Sequence, residues 1–292
     1  MSDLGLDNQV AIITGAGKGL GRAYALHLAS LGARVVVNNR VANDPAGSRS
    51  ADAVVSDIRS SGGAAIANYD SVEDSDSGER LVAAALQHFG RLDIVVSNAG
   101  VDRPSSFHKQ DMADFESVMQ INFFAVAQLL HAAWSHMREA HYGRILVSTS
   151  TAGVYGNHGQ AAYSSSKAAL LGLVKSLALE GASHQVRINA IAPYAVTQLT
   201  RPWFPEHRVE EFSSEAVAKL VGWLVSEGCE LSGTTLITGA GHARLAQSLE
   251  TESVLLAENP QAAVEKLLDA CCEVAPASAT EEFETFTRAL GH

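Results

Sequence analysis

Cysteine is scarce in this chain. Cys229, Cys271 and Cys272 are odd in number and two are adjacent, so they form neither a CxxC pair nor a disulfide framework, and a reduced, cytoplasmic setting is expected. Long apolar runs are missing too. Hydrophobic residues make up 47% of the 292 positions, yet no stretch reaches the roughly 18 needed to cross a bilayer, and no membrane partner is expected. Basic residues are outnumbered, 21 Lys and Arg against 32 Asp and Glu, and the formal charge of -11 argues against a nucleic-acid partner while leaving room for a local cationic pocket. The 11 histidines show no HExxH or comparable spacing, so no metal is expected. The opening MSDLGLDNQV has neither a basic flank nor an apolar core, and Leu290-Gly291-His292 is not of the Ser-Lys-Leu type, so neither a secretory nor that peroxisomal address is expected.

What remains reads as a large α/β fold. Val10 to Thr14 is a short β-branched run ending in glycines, the pattern of a strand buried on both faces. Gly15, Gly19 and Gly21 follow, and RAYALHLASLG then has helical periodicity up to Gly32. A glycine turn between strand and helix lets the backbone approach a pyrophosphate, whose charge the helix start favours, although the spacing is G-x-x-x-G-x-G and not G-x-G-x-x-G. Further strands are predicted at Arg34 to Asn38, Ala64 to Tyr69, Leu92 to Val96, Arg144 to Thr149, Val186 to Ala192 and Thr234 to Thr238, and helices over 52–59, 78–89, 111–138 and 163–180. The alternation predicts a Rossmann-like, doubly wound parallel sheet of about seven strands with helices on both faces. No domain boundary is evident: 1–292 reads as one dinucleotide-binding catalytic domain, with 243–292 as a C-terminal helical extension.

At the end of the second strand stand Asn39 and Arg40, where an acidic residue would bind the ribose hydroxyls of NAD and a basic one the 2′-phosphate of NADP. Arg40, with Lys18 in the glycine turn, favours NADP(H); NAD(H) remains possible. Asp70, past the third strand, stands either to contact adenine or to cap the next helix. The fourth strand ends in Asn98, Ala99 and Gly100, and Asn122 lies among Ile121, Phe123 and Phe124, where an amide needs partners.

The stretch from Ser148 to Lys167 carries the chemistry. Ser150 precedes Tyr163, and Lys167 follows Tyr163 by four positions, one helical turn, which puts ammonium and phenol on one face. A phenol titrating near 10 needs roughly 4 kcal/mol of help to act near neutrality. Unit charges about 4 Å apart supply that much at an effective dielectric of ~20, before desolvation opposes it. His158 reads as a pocket wall or a support for Tyr155. Tyr194, Trp203 and Phe204, in a loop with several prolines, read either as an apolar substrate pocket or as plugs and interface residues.

Taken together, Thr14-Gly15-xxx-Gly19-x-Gly21, Asn98-Ala99-Gly100, Asn122, Ser150 and Tyr163-xxx-Lys167 resemble the short-chain dehydrogenase/reductase family over almost the whole chain. Within it, GVYGNHGQAAYSSSKAALLGL, ANYDSVED and VGWLVSEGCE are similar to the (3R)-hydroxyacyl-CoA dehydrogenase unit of peroxisomal multifunctional enzyme type 2. Asn39-Arg40 departs from the acidic pattern of its NAD-using members, Lys18 is added, SNAG replaces NNAG, and the loop after Pro193 lacks the usual Pro-Gly pair.

The resemblance implies that Tyr163 is the acid or base, that Lys167 lowers its pKa and binds the nicotinamide ribose, and that Ser150 bonds the substrate oxygen. It implies that Asn122 holds a water linking Lys167 to solvent, and it extends the cofactor contacts to Leu20, Ser71, Pro193 and Thr197. The implied activity interconverts a secondary alcohol and a ketone, first a 3-hydroxyacyl or 3-oxoacyl thioester, with a steroid, polyketide or other uncharged carbonyl compound as the alternative. A non-catalytic nucleotide sensor is the reading from another class. Such proteins form homodimers or homotetramers, here through 111–138 and 163–180.

Overall fold

The computed structural model describes residues 4–41, 49–198, 200–201, 204–247, 261, 263–265, 283–284 and 287–288. The β-branched runs become β1 (Val10–Ile13), β2 (Arg34–Asn38), β3 (Ala65–Asn68), β4 (Ile94–Ser97), β5 (Gly143–Ser148), β6 (Val186–Pro193) and β7 (Thr235–Gly239), joined by β8 (His242–Ala246). They form one sheet in the order β3-β2-β1-β4-β5-β6-β7-β8. Neighbours pair in parallel except β7 and β8, which are antiparallel from Gly239↔His242 to Thr235↔Ala246.

The strand β8 departs from the helical reading of residues 243 onward. Its side chains are exposed or only partly buried, so HARLA carries no hydrophobic alternation, and pairing with β7 alone makes it a strand. Of the patterning around Pro260, residues 261 and 263–265 are described and are helical; Pro260 itself, the looser stretch Val274 to Thr280, Cys271 and Cys272 lie outside the described residues.

Helices cover both faces. They are α1 (Gly19–Ser30), α2 (Ser50–Ser60), α3 (Ser77–Phe89), α4 (Met112–Met119), α5 (Ala125–Glu139), α6 (Thr151–Tyr155), α7 (Ala161–Gly181) and α8 (Ser214–Leu224). Along β1, Ala11 and Ile13 join the core that Tyr24, Val54 and Val221 of α1, α2 and α8 complete. The alternate residues Val10 and Ile12 join the core built on Leu81, Leu129 and Leu170 of α3, α5 and α7. A strand buried on both faces therefore reads as an unbroken apolar run. Among the described residues no helix is long and apolar enough to cross a membrane.

Two local features set up the site. The stretch predicted as one helix over 111–138 is interrupted by a π-turn, Gln120–Phe124, whose extra residue turns Asn122 into the interior, where it is fully buried. The short α6 begins at Ser150, whose side chain accepts from the Ala152 amide at 3.2 Å. It lies against α7 with Gly153 at the contact: a Cβ there would stand 2.7 Å from both the carbonyl carbon and the Cβ of Lys167. Only glycine lets the two backbones approach so closely. Gly153→Ala is expected to destabilise the fold by about 1–3 kcal/mol through overpacking, read as a lowered urea midpoint. An unchanged midpoint would mean that the α6–α7 contact yields without cost.

Candidate active site

The nucleotide end of the site is built where β1 and β4 lie side by side in the sheet. Their carboxyl ends are clamped by Thr14, whose Oγ1 accepts from the amides of Asn98 at 3.0 Å and Ala99 at 3.1 Å, while Asn98 Nδ2 donates to the Thr14 carbonyl at 3.2 Å. Strand order reverses direction here, and open α/β sheets bind ligands at such a point. The start of α1 presses on the turn: a Cβ at Gly21 would stand 2.3 Å from the Gly15 carbonyl oxygen.

A cleft of about 390 Å³ opens above this point. It is lined by Gly15, Lys18, Gly19, Leu20, Asn39, Arg40, Asp70, Ser71, Asn98, Ala99, Gly100, Tyr163, Lys167, Pro193 and Thr197. Gly21, predicted as a contact, does not line it; it is buried behind the turn and shapes the cradle from beneath. A backbone cradle too tight for side chains, with a run of cleft from Arg40 to Lys167, fits a dinucleotide.

At the far end the cations differ. Arg40 Nη1 lies 3.2 Å from Glu73 Oε1 in an exposed pair, an interaction worth little in water. Lys18 makes no ion pair among the described residues. Asn39 Nδ2 donates to Ser50 Oγ at 2.9 Å. Asp70 does not cap a helix, because α3 starts after Asp76; its carboxylate instead accepts from Asn68 Nδ2 at 2.8 Å and pairs with Arg80 Nε at 3.0 Å.

The reacting end joins β5, α6 and α7. Ser150 and Tyr163 line the same wall, and Lys167, one turn on, lies with Nζ 5.8 Å from the tyrosine ring centroid. Nζ donates to the Ser148 carbonyl at 2.7 Å. Burial pushes the Tyr163 phenol up to about 12, against the smaller downward pull of Ser150, and the charge of Asp102 raises it further. Burial also lowers Lys167 to about 8.

The expectation that Lys167 alone draws the phenol toward neutrality is therefore not met in the free protein. The Coulomb argument assumed a ~4 Å approach and left desolvation out, and here desolvation is the larger effect. Asn122 Oδ1 accepts from the Val101 amide at 2.8 Å, and Nδ2 donates to the Val101 carbonyl at 2.9 Å and to Ser166 Oγ at 3.1 Å. The amide thus holds the loop after Gly100, and a water contact would have only its remaining oxygen lone pair. A Cβ at Gly100 would stand 3.1 Å from Asn122 Oδ1 and 3.4 Å from Lys167 Nζ, so the three groups converge.

An adjoining cavity of about 220 Å³ shares Ser150 and Tyr163 with the cleft. Tyr194 and Phe204 line it, in keeping with the pocket reading, while Trp203 lies outside the described residues. His158 lines neither cavity and is exposed, which does not fit the pocket-wall reading. Two lining residues were not legible in the sequence. Asp102 follows the Asn98-Ala99-Gly100 edge, and Phe283 comes from the C-terminal region, its ring 4.8 Å from that of Tyr194 and 5.4 Å from that of Phe204. No spacing rule points across so long a separation.

The sequence profile described as short chain dehydrogenase matches residues 9–207. The chain belongs to that family. It is 46% identical over 243 residues to peroxisomal multifunctional enzyme type 2 of Mus musculus, which covers 82% of this chain and only 33% of the mouse protein. The chain thus spans about a third of that relative's length. It is 40% identical over 196 residues to a 3-oxoacyl-[acyl-carrier-protein] reductase of Synechocystis, covering 67% of this chain and 77% of that one. A crystal structure of a short chain dehydrogenase from Mycobacterium avium superposes with a TM-score of 0.83 at 31% identity, covering 94% of this chain and 99% of that one.

This short-chain dehydrogenase is an oxidoreductase that uses NAD(P)(H). The groups at its reacting end, Asn122, Ser150, Tyr163 and Lys167, all fall inside the matched span, whereas Phe283 lies beyond it. The raised phenol is directly observable. In an alkaline titration of the free protein, the tyrosinate absorbance missing from Tyr163→Phe is expected to appear only towards pH 12, above the ordinary value of about 10. A difference signal already complete near pH 10 would show that burial does not dominate.

Proposed function

We propose that the chain is an NADP(H)-dependent oxidoreductase that interconverts a ketone and a secondary alcohol, with a 3-oxoacyl or 3-hydroxyacyl thioester as substrate. The observation that carries this is that Ser150 and Tyr163 both line the junction of two cavities, with Lys167 one turn away. When bound, the dinucleotide supplies or accepts the hydride. The glycine turn would hold its pyrophosphate, and Lys18 and Arg40 its 2′-phosphate. The remaining Nζ donors of Lys167 would hold its nicotinamide ribose.

The chain's own groups handle the proton. Ser150 orients the carbonyl oxygen by a hydrogen bond, and Tyr163, protonated at neutral pH, donates its phenolic proton to that oxygen in reduction. In oxidation the Tyr163 phenolate takes the proton from the alcohol, which requires that bound cofactor and Lys167 lower the phenol's pKa. Asn122 positions the Val101 backbone beside Lys167.

The name of the Synechocystis relative supports a 3-oxoacyl substrate. One observation favours the second reading, an uncharged carbonyl compound such as a steroid or polyketide ketone. Of the cations Arg103, Lys109 and Arg201 available for a coenzyme A phosphate, Arg103 is paired with Asp114 and Arg201 with Glu206, Lys109 alone makes no ion pair among the described residues, and Tyr194, Phe204 and Phe283 stand in the pocket wall. A nucleotide sensor without chemistry is disfavoured because all four reacting-end groups are present. A homodimer or homotetramer through α5 and α7 is supported by the apolar groove of about 490 Å³ that Phe124, Trp134, Leu173 and Leu177 line. Cysteine usage supports a reducing, cytoplasmic setting.

Two measurements test the reading. Tyr163→Phe is expected to lose roughly 10²–10⁴-fold in turnover, monitored at the nicotinamide absorbance, while still binding nucleotide. Turnover like that of the wild type would remove Tyr163 from the chemistry. NADPH is expected to bind more tightly than NADH, with Arg40→Asp reversing the order; equal affinities in the wild type would remove the phosphate role of Lys18 and Arg40. Comparison of a 3-oxoacyl thioester with steroid ketones then separates the two substrate readings.

A further inference from the structure

The proton-transfer scheme leaves one acidic group of the pocket without a task. Asp102 lines the cavity of about 220 Å³ together with Ser150 and Tyr163. Its Oδ2 accepts from Gln160 Nε2, and Gln160 Oε1 accepts in turn from Asn157 Nδ2 at 2.7 Å, so the glutamine is held with its amide N–H toward the acid. A parallel bridge between Ser105 and Gln160, with the Ser105 amide donating to the Gly159 carbonyl at 2.8 Å, fastens the loop that carries Asp102 to the entrance of α7. The acid is therefore placed on a fixed support.

Its other oxygen is different. Oδ1 is enclosed in the wall and has no hydrogen bond among the described residues. The adjacent cation Arg103 lies outside the cavity lining, in an exposed pair with Asp114, and no described residue lining the cavity is cationic. An enclosed acceptor without a donor costs about 1–3 kcal/mol, more when charged. Such groups persist where a ligand or water supplies the donor. Burial raises the Asp102 carboxyl above the ordinary carboxylate range, against the smaller downward pulls of Gln160 and the Arg103 backbone amide.

We propose that Asp102 determines specificity by accepting a hydrogen bond from an O–H or N–H of the substrate beside the carbonyl held by Ser150 and Tyr163. This rests on the oxidoreductase reading and narrows its substrate class. The substrate carries a hydrogen-bond donor close to its ketone and no anionic group there. A compound of the same shape without the donor leaves the carboxylate buried and unpaired, and a site built for a hydrogen bond rejects such an analogue strongly. Two sources share this chemistry: the amide N–H of a pantetheine-like thioester arm, and a hydroxyl on an otherwise uncharged ketone.

The test uses the full chain with NADPH or NADH and two matched pairs. One pair is the N-acetylcysteamine thioester of 3-oxobutyrate against an alkyl thioester of equal length. The other is a hydroxylated cyclic ketone against its deoxy analogue. The wild type is expected to prefer the donor-bearing member of one pair by about tenfold or more in kcat/KM, and that pair identifies the source. Asp102→Leu is expected to bring the ratio to about one, and Asp102→Asn, which keeps an acceptor oxygen, to retain part of it.

A ratio preserved in Asp102→Leu overturns the proposal, as does a wild-type ratio near one in both pairs, a result that needs no variant to fold. Absence of nucleotide-dependent turnover with every carbonyl overturns the oxidoreductase reading itself, and this inference with it.

Discussion

A buried ammonium organises this molecule. Lys167 is 4% exposed, and one short hydrogen bond to the Ser148 carbonyl ties it to the end of β5. Removing a charge from water is costly, and the lowered pKa of Lys167 is the mark of that cost. The surroundings are arranged to keep the group in place. Gly153 brings α6 against the Lys167 backbone, Thr149 Oγ1 donates to the Lys167 carbonyl at 2.8 Å, and the π-turn carries Asn122 to the same point. Tyr163 shares the desolvation, and its phenol stays protonated.

From that point the two cavities diverge. The cleft proposed for the nucleotide takes glycines and small residues, Gly15, Gly19, Ala99 and Gly100, from the carboxyl ends of β1 and β4, and close approach of chain to chain at Gly21 shapes it there. The smaller cavity is bounded by side chains of varied size, from Asp102 and Gln160 to Phe204 and Phe283. The proposed function assigns substrate choice to the second cavity, and part of that wall comes from residues outside the span that the family profile matches.

Much of this was legible in the chain as a string. Five-residue runs such as RVVVN are readable because both faces of a central parallel strand are buried, and Arg34–Asn38 is found where it was predicted. The one-turn spacing of Tyr163 and Lys167 translated directly into one helix face, since local geometry is set by the backbone alone. Less local features were not legible. The five-residue α6 is too short for a periodic signal, β8 has no buried face, and the π-turn depends on how α4 and α5 pack and not on composition.

The sequence by itself determined the order of the seven parallel strands, the glycine turn between β1 and α1 and the one-turn spacing of Tyr163 and Lys167, because each follows from patterns over a few residues. Tertiary structure decided the rest. Whether the phenol is acid or base at rest depends on burial by residues distant in sequence, and the pairing of Arg40 with Glu73 and the placement of Asp102 and Phe283 beside Ser150 arise only when separate strand ends meet at one edge of the sheet. Desolvation and long-range contact are properties of the packed chain, and no local pattern encodes them.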